Sequence, residues 1–147
     1  GIMTDATRTA APTGALQLRL VVHAADLDAA LALYRDALGL PTELDLTTPS
    51  PDGDARVVVL DAGRATLELI NTPQRALIDS LEVGADVARD IRVALEVDDA
   101  PAATASALAS GATQVAPPTR TPWGSLNARL EGPAGVQFTL FQQIEPE

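Results

Sequence analysis

The chain has 147 residues, with 20 acidic and 10 basic side chains and a formal net charge of −10. This length suits one compact domain, and the lack of cysteine excludes disulfides, thiolate catalysis and cysteine-ligated metals. The negative charge argues against a nucleic-acid partner, and no apolar run approaches the roughly 20 residues of a membrane span. The high alanine content is typical of a GC-rich bacterial genome, and we expect a soluble cytoplasmic protein.

The N-terminal part of the chain predicts an arm followed by a strand and a helix. Residues 1–14 are small, polar and aperiodic, which is typical of a disordered arm. Apolar and polar residues then alternate over 16–23, the period of a half-buried strand. Asp26 is placed to cap a helix over 27–38.

The alternation also assigns the faces of this first strand. Leu18, Leu20 and Val22 share one face, and we expect them to pack under the helix. Arg19 and His23 then lie on the opposite face, where a cavity is expected.

The same unit occurs twice. Arg19 matches Arg92 and Asp26 matches Asp99, each 73 positions later. A strand–Asp–helix unit used twice predicts pseudo-symmetry, so the fold class is α+β, with two β-α-β-β-β modules that enclose a cavity. The first module (15–71) has further strands at 42–47, 56–61 and 65–70. A linker (72–90) shows weak helical tendency over 74–82, and the second module (91–147) has strands at 91–97, 113–116, 125–131 and 136–143 and a helix over 101–110.

Four phrases in this order carry a family resemblance: the helix from Asp26 to Leu40, the strand Leu67–Ile70, Thr121-Pro122-Trp123-Gly124, and Gly132-Pro133-Ala134-Gly135. Together they resemble the vicinal oxygen chelate superfamily over residues 16–143. That superfamily includes glyoxalase I, bleomycin-resistance proteins, extradiol dioxygenases and methylmalonyl-CoA epimerase. The resemblance implies the same doubled fold around a ligand cavity.

The resemblance also implies where metal ligands would lie in metal-dependent members. Those positions hold Arg19 and Arg92 in place of histidines, Glu68 in the fourth strand, and Thr139 in the last strand. Arginine stays protonated and offers only donors, so it does not coordinate a cation. We therefore expect no metal and no other cofactor. Two hypotheses remain for the charged group: a structural Arg–Glu–Arg triad around Glu68, or contact of the arginines with an anionic or carbonyl-bearing ligand.

Three further positions are candidates for the cavity lining. His23 is the only histidine, and it is open to three interpretations: part of a displaced metal site, an acid–base group, or a polar lining. Trp123 either forms an aromatic wall at the cavity mouth or anchors its loop. Asn127, like Arg129, alternates with apolar neighbours and is expected to face the cavity. The predicted ligand-binding set is Arg19, His23, Glu68, Arg92, Trp123, Asn127 and Thr139.

Three functional hypotheses follow. The first is a metal-free protein that binds and sequesters a small molecule in the cavity. The second is an enzyme of the vicinal-oxygen-chelate type, a lyase, isomerase or dioxygenase-like protein, that uses Arg19, Arg92 and Glu68, or His23, in place of the metal. The third is a degenerate domain that acts through protein association. A homodimer is expected in each case, because symmetric pairing is the commonest oligomer.

Overall fold

The computed structural model describes residues 14–145, which form one mixed eight-stranded sheet and three helices. The predicted arm, apart from Gly14, lies outside the described residues, as do residues 146 and 147. The strands are β1 (Gln17–His23), β2 (Thr42–Thr48), β3 (Ala55–Asp61), β4 (Ala65–Ile70), β5 (Ile91–Glu96), β6 (Thr113–Arg120), β7 (Ser125–Glu131) and β8 (Gln137–Gln143). The helices are α1 (Leu27–Leu31, continued by a π-helical stretch, Ala32–Ala37), α2 (Thr72–Glu82) and α3 (Ala100–Ala109).

The sheet confirms the predicted pair of modules. Its strand order is β2-β3-β4-β1-β5-β8-β7-β6, so the two modules meet at the antiparallel pair β1–β5. In the first module, β1 runs parallel to β4 and Val21 lies opposite Glu68. In the second, β5 runs parallel to β8 and Ala94 lies opposite Thr139. Because Val21 and Ala94 are equivalent in the repeat, Glu68 and Thr139 occupy equivalent places in the two modules.

Helices α1 and α3 cover the same face of the sheet, which we call the outer face. Leu27 and Leu31 of α1 pack on β3 and β4, and Ala100 at the start of α3 packs on β7 and β8. As predicted, the Asp26 side chain caps α1 by accepting a hydrogen bond from the N–H of Ala29 (3.0 Å). Asp99 caps α3 in the same way, with the N–H of Ala102 as donor (3.0 Å).

The packing of β1 under α1 is only partly as predicted. Val22 packs into the cluster beneath α1. Leu18 and Leu20 lie on the same face but are 44% and 39% exposed, so the prediction was wrong for these two. The reason is that α1 lies over β3 and β4 and α3 over β7 and β8, so that their clusters reach the central strands only at Val22 and Leu95.

The linker forms a helix that lies on the opposite face, which we call the inner face. Helix α2 begins after Asn71, whose side chain accepts a hydrogen bond from the N–H of Gln74 (2.9 Å). Ile78 of α2 is buried in a cluster with residues of β1, β3, β4, β5 and β8: Val21, Val57, Val59, Ile70, Ala94 and Phe141. The sequence segment between the modules therefore packs against both of them.

The edge strand β6 is longer than the predicted strand at 113–116. It runs from Thr113 to Arg120 and includes Pro117 and Pro118, with shifts in its register against β7. Proline is tolerated there because one side of an edge strand needs no partner. Among the helices in 14–145, none has the length and apolar character required to cross a bilayer.

Candidate functional site

A cavity of about 370 Å³ lies on the inner face, between the sheet and α2. Its apolar walls come from both modules and from the linker helix, and they include Val21, Leu44, Leu46, Leu77 and Phe141. The structure brings six of the seven predicted site residues to this cavity: Arg19, Glu68, Arg92, Trp123, Asn127 and Thr139. Their contact with a ligand remains a prediction.

His23 is the predicted residue that the structure places elsewhere. Its Nδ1 lies 3.0 Å from Asp90 Oδ1, and its Nε2 lies 2.9 Å from Thr72 Oγ1 at the start of α2. The hydrogen bond from His23 lowers the pKa of the Asp90 carboxyl. His23 is on the inner face as predicted, but it lies at the end of β1, where it ties α2 to the chain entering β5 and does not line the cavity.

Arg19 contacts two polar side chains of the first module and one aromatic ring of the second. Its Nε donates to Gln17 Oε1 (2.8 Å) and its Nη1 donates to Glu68 Oε1 (3.4 Å). The guanidinium carbon also lies 5.1 Å from the centroid of the Phe141 ring, within cation–π range. The charge of Arg19 is therefore balanced by a carboxylate in its own module.

Arg92 is more deeply buried and has far fewer contacts. It is 6% exposed, and its hydrogen bond in the described part of the chain runs from Nη1 to Thr139 Oγ1 (2.7 Å). No carboxylate of the described residues forms an ion pair with it. Burial lowers the pKa of Arg92, the nearby charge of Arg129 lowers it further, and Glu82, Glu68 and Asp79 oppose this at longer range.

The predicted Arg–Glu–Arg triad around Glu68 is therefore not what the structure contains. Glu68 pairs with Arg19, whose strand neighbours β4, but it forms no pair with Arg92. The reason is topological, because β5 neighbours β8, which presents the neutral Thr139 at the position equivalent to Glu68.

A different ionic triad lies beside the cavity. Arg129 is fully buried, and it donates from Nη1 to Asp79 Oδ1 and from Nη2 to Glu82 Oε1, both at 3.0 Å. The other Asp79 oxygen accepts two backbone N–H groups, from Val87 (2.9 Å) and Ala88 (2.8 Å). Helix α2 thus supplies two buried carboxylates to one arginine of the second module.

The second Glu82 oxygen determines how Asn127 is oriented. It accepts a hydrogen bond from Asn127 Nδ2 (2.9 Å), and because an ionised carboxylate only accepts, the amide must present its NH₂ group there. The Asn127 Oδ1 is then left buried without a hydrogen-bond partner among the described residues. Asn127 therefore takes part in the α2 network as well as lining the cavity.

Comparison with known proteins identifies the family. A family model described as a glyoxalase-like domain matches residues 19–141. The chain belongs to this glyoxalase-like family. No curated protein matches the sequence significantly.

Solved structures agree with this family. A hypothetical protein from Bacillus halodurans C-125 is 16% identical, with 92% of this chain and 97% of that chain covered and a TM-score of 0.63. Methylmalonyl-CoA epimerase from Mycobacterium tuberculosis is 19% identical, with 91% of each chain covered and a TM-score of 0.54. A glyoxalase/bleomycin resistance protein/dioxygenase superfamily member from Vibrio splendidus 12B01 is 12% identical (88% and 99% covered; TM-score 0.55). At these identities the likeness shows the fold alone, and the predicted family resemblance is confirmed by the match of the glyoxalase-like domain model.

A divalent metal does not fit the four implied ligand positions of this glyoxalase-like chain. Arg19 and Arg92 carry fixed positive charge and offer only donors. The Thr139 hydroxyl already accepts from Arg92, and Glu68 already accepts from Arg19. Within residues 14–145, no three or more histidine, aspartate or glutamate side chains are grouped to hold a metal ion. We therefore derive no chemistry through a metal.

Sequence reasoning missed the two acidic residues of α2. Asp79 and Glu82 are three positions apart, so they lie on one face of a helix. Such a pair in a polar segment usually marks a solvated face. The sequence feature that could have indicated their burial is Arg129. It alternates with apolar residues in a strand and therefore needs a buried counter-charge.

Proposed function

We propose that this glyoxalase-like protein binds a small molecule in the inner-face cavity without a metal, and that it sequesters its ligand. The observation that supports this proposal most strongly is Arg92. A buried guanidinium with a single neutral hydrogen-bond partner is costly, because a buried charge normally has an ionic partner. A ligand that accepts hydrogen bonds offsets this cost, which gives the cavity an intrinsic preference for such a molecule.

A binding screen in the absence of metal tests the proposal. The full chain is dialysed against a strong chelator and its thermal unfolding is followed with panels of carboxylates, phosphates, carbonyl compounds and amines. We expect at least one panel to raise the melting temperature of the wild type and to lose this effect in Arg92→Gln. Arg64→Gln, at an exposed arginine in the β3–β4 turn, is the matched control. A ligand that binds only after metal is restored contradicts the proposal.

A second candidate function is proton transfer, supported by the position of Glu68. Its carboxylate lines the same cavity as Arg92, and its Oε2 makes no hydrogen bond with any described residue. In this hypothesis Glu68 removes a proton from the carbon next to a ligand carbonyl, Arg92 stabilises the resulting enolate oxygen, and Glu68 returns the proton. Exchange of that proton in deuterated water, followed by NMR with wild type and Glu68→Gln, distinguishes catalysis from binding alone.

We also propose a homodimer formed through the outer face. Leu18 and Leu20 of β1 are exposed on this face, and so is Ile91 of β5, which lies opposite Val22 and is a diagonal neighbour of Leu20. Contiguous exposed apolar residues in a soluble protein typically mark an interaction surface. Light scattering is expected to give twice the chain mass for the wild type and a monomer for a Leu20→Ser/Ile91→Ser double variant. A wild-type monomer over a wide concentration range contradicts the proposal.

A further inference from the structure

We propose that the ligand class of the cavity is an amphipathic monocarboxylate, with its carboxylate at Arg92 and its apolar body toward Leu44, Leu46 and Trp123. This inference rests on the proposed binding function and specifies what the site takes. It follows from two independent features, the unequal neutralisation of the three arginines and the apolar rim of the cavity.

Three arginines and three carboxylates lie at or beside the cavity, but the carboxylates contact only two of the arginines. Arg19 contacts Glu68, and Arg129 contacts both Asp79 and Glu82. Arg92 is the arginine that has no carboxylate contact, although it lines the cavity. Of its five N–H donors one goes to Thr139, and none of its nitrogen atoms is among the buried polar atoms that lack a partner. Its Nε and Nη2, which have no hydrogen bond to the described residues, therefore keep some accessible surface in a side chain that lines the cavity.

A carboxylate suits this position better than a more highly charged anion. Its two oxygens match the planar fork of a guanidinium, and it brings a single negative charge. A phosphate monoester carries nearly two negative charges at neutral pH and would add a second charge close to Glu68 and Glu82. Arg92 is the one arginine of the three without a contacting carboxylate among the described residues, and the triad of Arg129 already holds one carboxylate in excess within its electrostatic range, so a second ligand charge would meet repulsion without a partner.

The rim of the cavity is apolar on both sides. Leu44 and Leu46, two residues apart on edge strand β2, both line the cavity and are about half exposed. Trp123 lines it from the second module and is 42% exposed. Arg92 is buried, whereas these three side chains lie near solvent. A ligand with a charged head group at Arg92 and an apolar tail at the cavity opening therefore matches the site. The volume of about 370 Å³ is in the lower part of the range of small-ligand sites.

The experiment uses the only tryptophan of the chain as the reporter. Trp123 fluorescence is titrated, in chelator-treated protein, with butanoate, hexanoate and octanoate, and with octyl phosphate, octylamine and octanol. We expect octanoate to bind the wild type most tightly, with affinity rising roughly threefold to fourfold for each methylene that enters the cavity. Octyl phosphate, octylamine and octanol should bind at least about tenfold more weakly than octanoate, the loss expected for a charged hydrogen bond.

Two variants separate the head from the tail. Arg92→Gln should lower octanoate affinity about tenfold or more while retaining the rise with chain length. Leu44→Ser/Leu46→Ser should reduce the rise with chain length while retaining the preference for carboxylate over amine. Arg64→Gln should match the wild type in both respects. The wild-type series tests the proposal even if Arg92→Gln fails to fold.

Several results would overturn this ligand class. Equal binding of octanol or octylamine would show that Arg92 does not select the head group, and equal binding of butanoate and octanoate would show that the rim does not hold the tail. If no carboxylate binds but another panel raises the melting temperature, the ligand class is wrong while the binding function stands. If no compound in any panel binds, both proposals fail.

Discussion

The two modules share one backbone plan but distribute charge in different ways. At equivalent positions of the inner face, the first module has Glu68 on β4 and Val59 on β3, whereas the second has Thr139 on β8 and Arg129 on β7. The first module neutralises its arginine internally, through the Arg19–Glu68 pair. The second module contains two buried arginines, Arg92 and Arg129, and no carboxylate at the corresponding place on β8.

The missing negative charge comes from outside the repeat. Asp79 and Glu82 belong to α2, which has no counterpart after the second module in the described chain. Both contact Arg129, and they act on Arg92 only at longer range. This difference shows that one copy of a repeat can carry an arginine without a paired carboxylate when a helix outside the repeat places negative charge nearby. In the proposed function this unpaired arginine selects the ligand.

The largest expected effect is at the α2 triad. Asp79→Asn should lower the free energy of unfolding by about 3–5 kcal/mol, because a fully buried ionic group loses one of its carboxylates and the N–H groups of Val87 and Ala88 lose a charged acceptor. Urea unfolding followed by circular dichroism measures the change. Asp36→Asn, at a carboxylate that pairs with its exposed neighbour Arg35, is the control and should unfold like the wild type. Equal stability of Asp79→Asn and wild type would refute the view that α2 compensates the second module.

A smaller effect is expected in the first module, at Glu68. Glu68→Gln should cost about 1–3 kcal/mol in unfolding free energy, because Arg19 loses its carboxylate but keeps Gln17 and the Phe141 ring. Calorimetric melting curves measure it, with Glu43→Gln on exposed β2 as the control. A loss as large as that of Asp79→Asn would mean that Glu68 also compensates Arg92 and that the two modules are not independent in charge.

The smallest expected effect concerns a pair that only the first module carries on its outer face. Arg56 of β3 contacts Asp45 of β2 (2.7 Å), whereas the position equivalent to Arg56 in the second module holds the apolar Leu126. The hydrogen bond from Arg56 lowers the pKa of Asp45. A lowered folded-state pKa contributes stability above the unfolded pKa of about 3.9, and this contribution disappears as pH falls through the folded-state value.

Asp45→Asn should therefore cost at most about 1 kcal/mol near neutral pH, because the pair is partly exposed and screened by solvent. The difference from wild type should shrink as the pH falls below the unfolded pKa of about 3.9, vanish once the Asp45 carboxyl is protonated in the folded protein, and shrink in high salt. Urea unfolding at several pH values measures it. A difference that grows on acidification would show that the pair does not act through the Asp45 carboxylate.

The fold was predictable because its signals are local and occur twice. Strand alternation, the capping residues Asp26 and Asp99 and the 73-residue spacing each depend on short stretches of chain. The same alternation, together with the repeat, assigned Arg19 and Arg92 to the inner face, and the family resemblance added Glu68. Alternation shows which face of a strand a residue is on, but not how far along the strand the cavity extends. For that reason His23 was grouped with Arg19, although His23 lies beyond the cavity.

The charge partners were not predictable by the same means. Whether Arg92 contacts Glu68 or Thr139 depends on which strand lies next to β5. That neighbour follows from the order of all eight strands. The burial of Asp79 and Glu82 depends on α2 folding back over β7 to reach Arg129, a contact between residues about fifty positions apart. Local periodicity cannot indicate such a contact.

The position of α2 also limits where the chain could be cut into its two modules. A chain beginning after α2 would have to bury two guanidinium groups with no acid from that helix beside them, and a chain ending before it would keep its own charges paired. We therefore expect the second module to require α2 in order to fold. Exchange of modules between two copies, or circular permutation, is tolerable only at a breakpoint that keeps α2 with the strands that follow it.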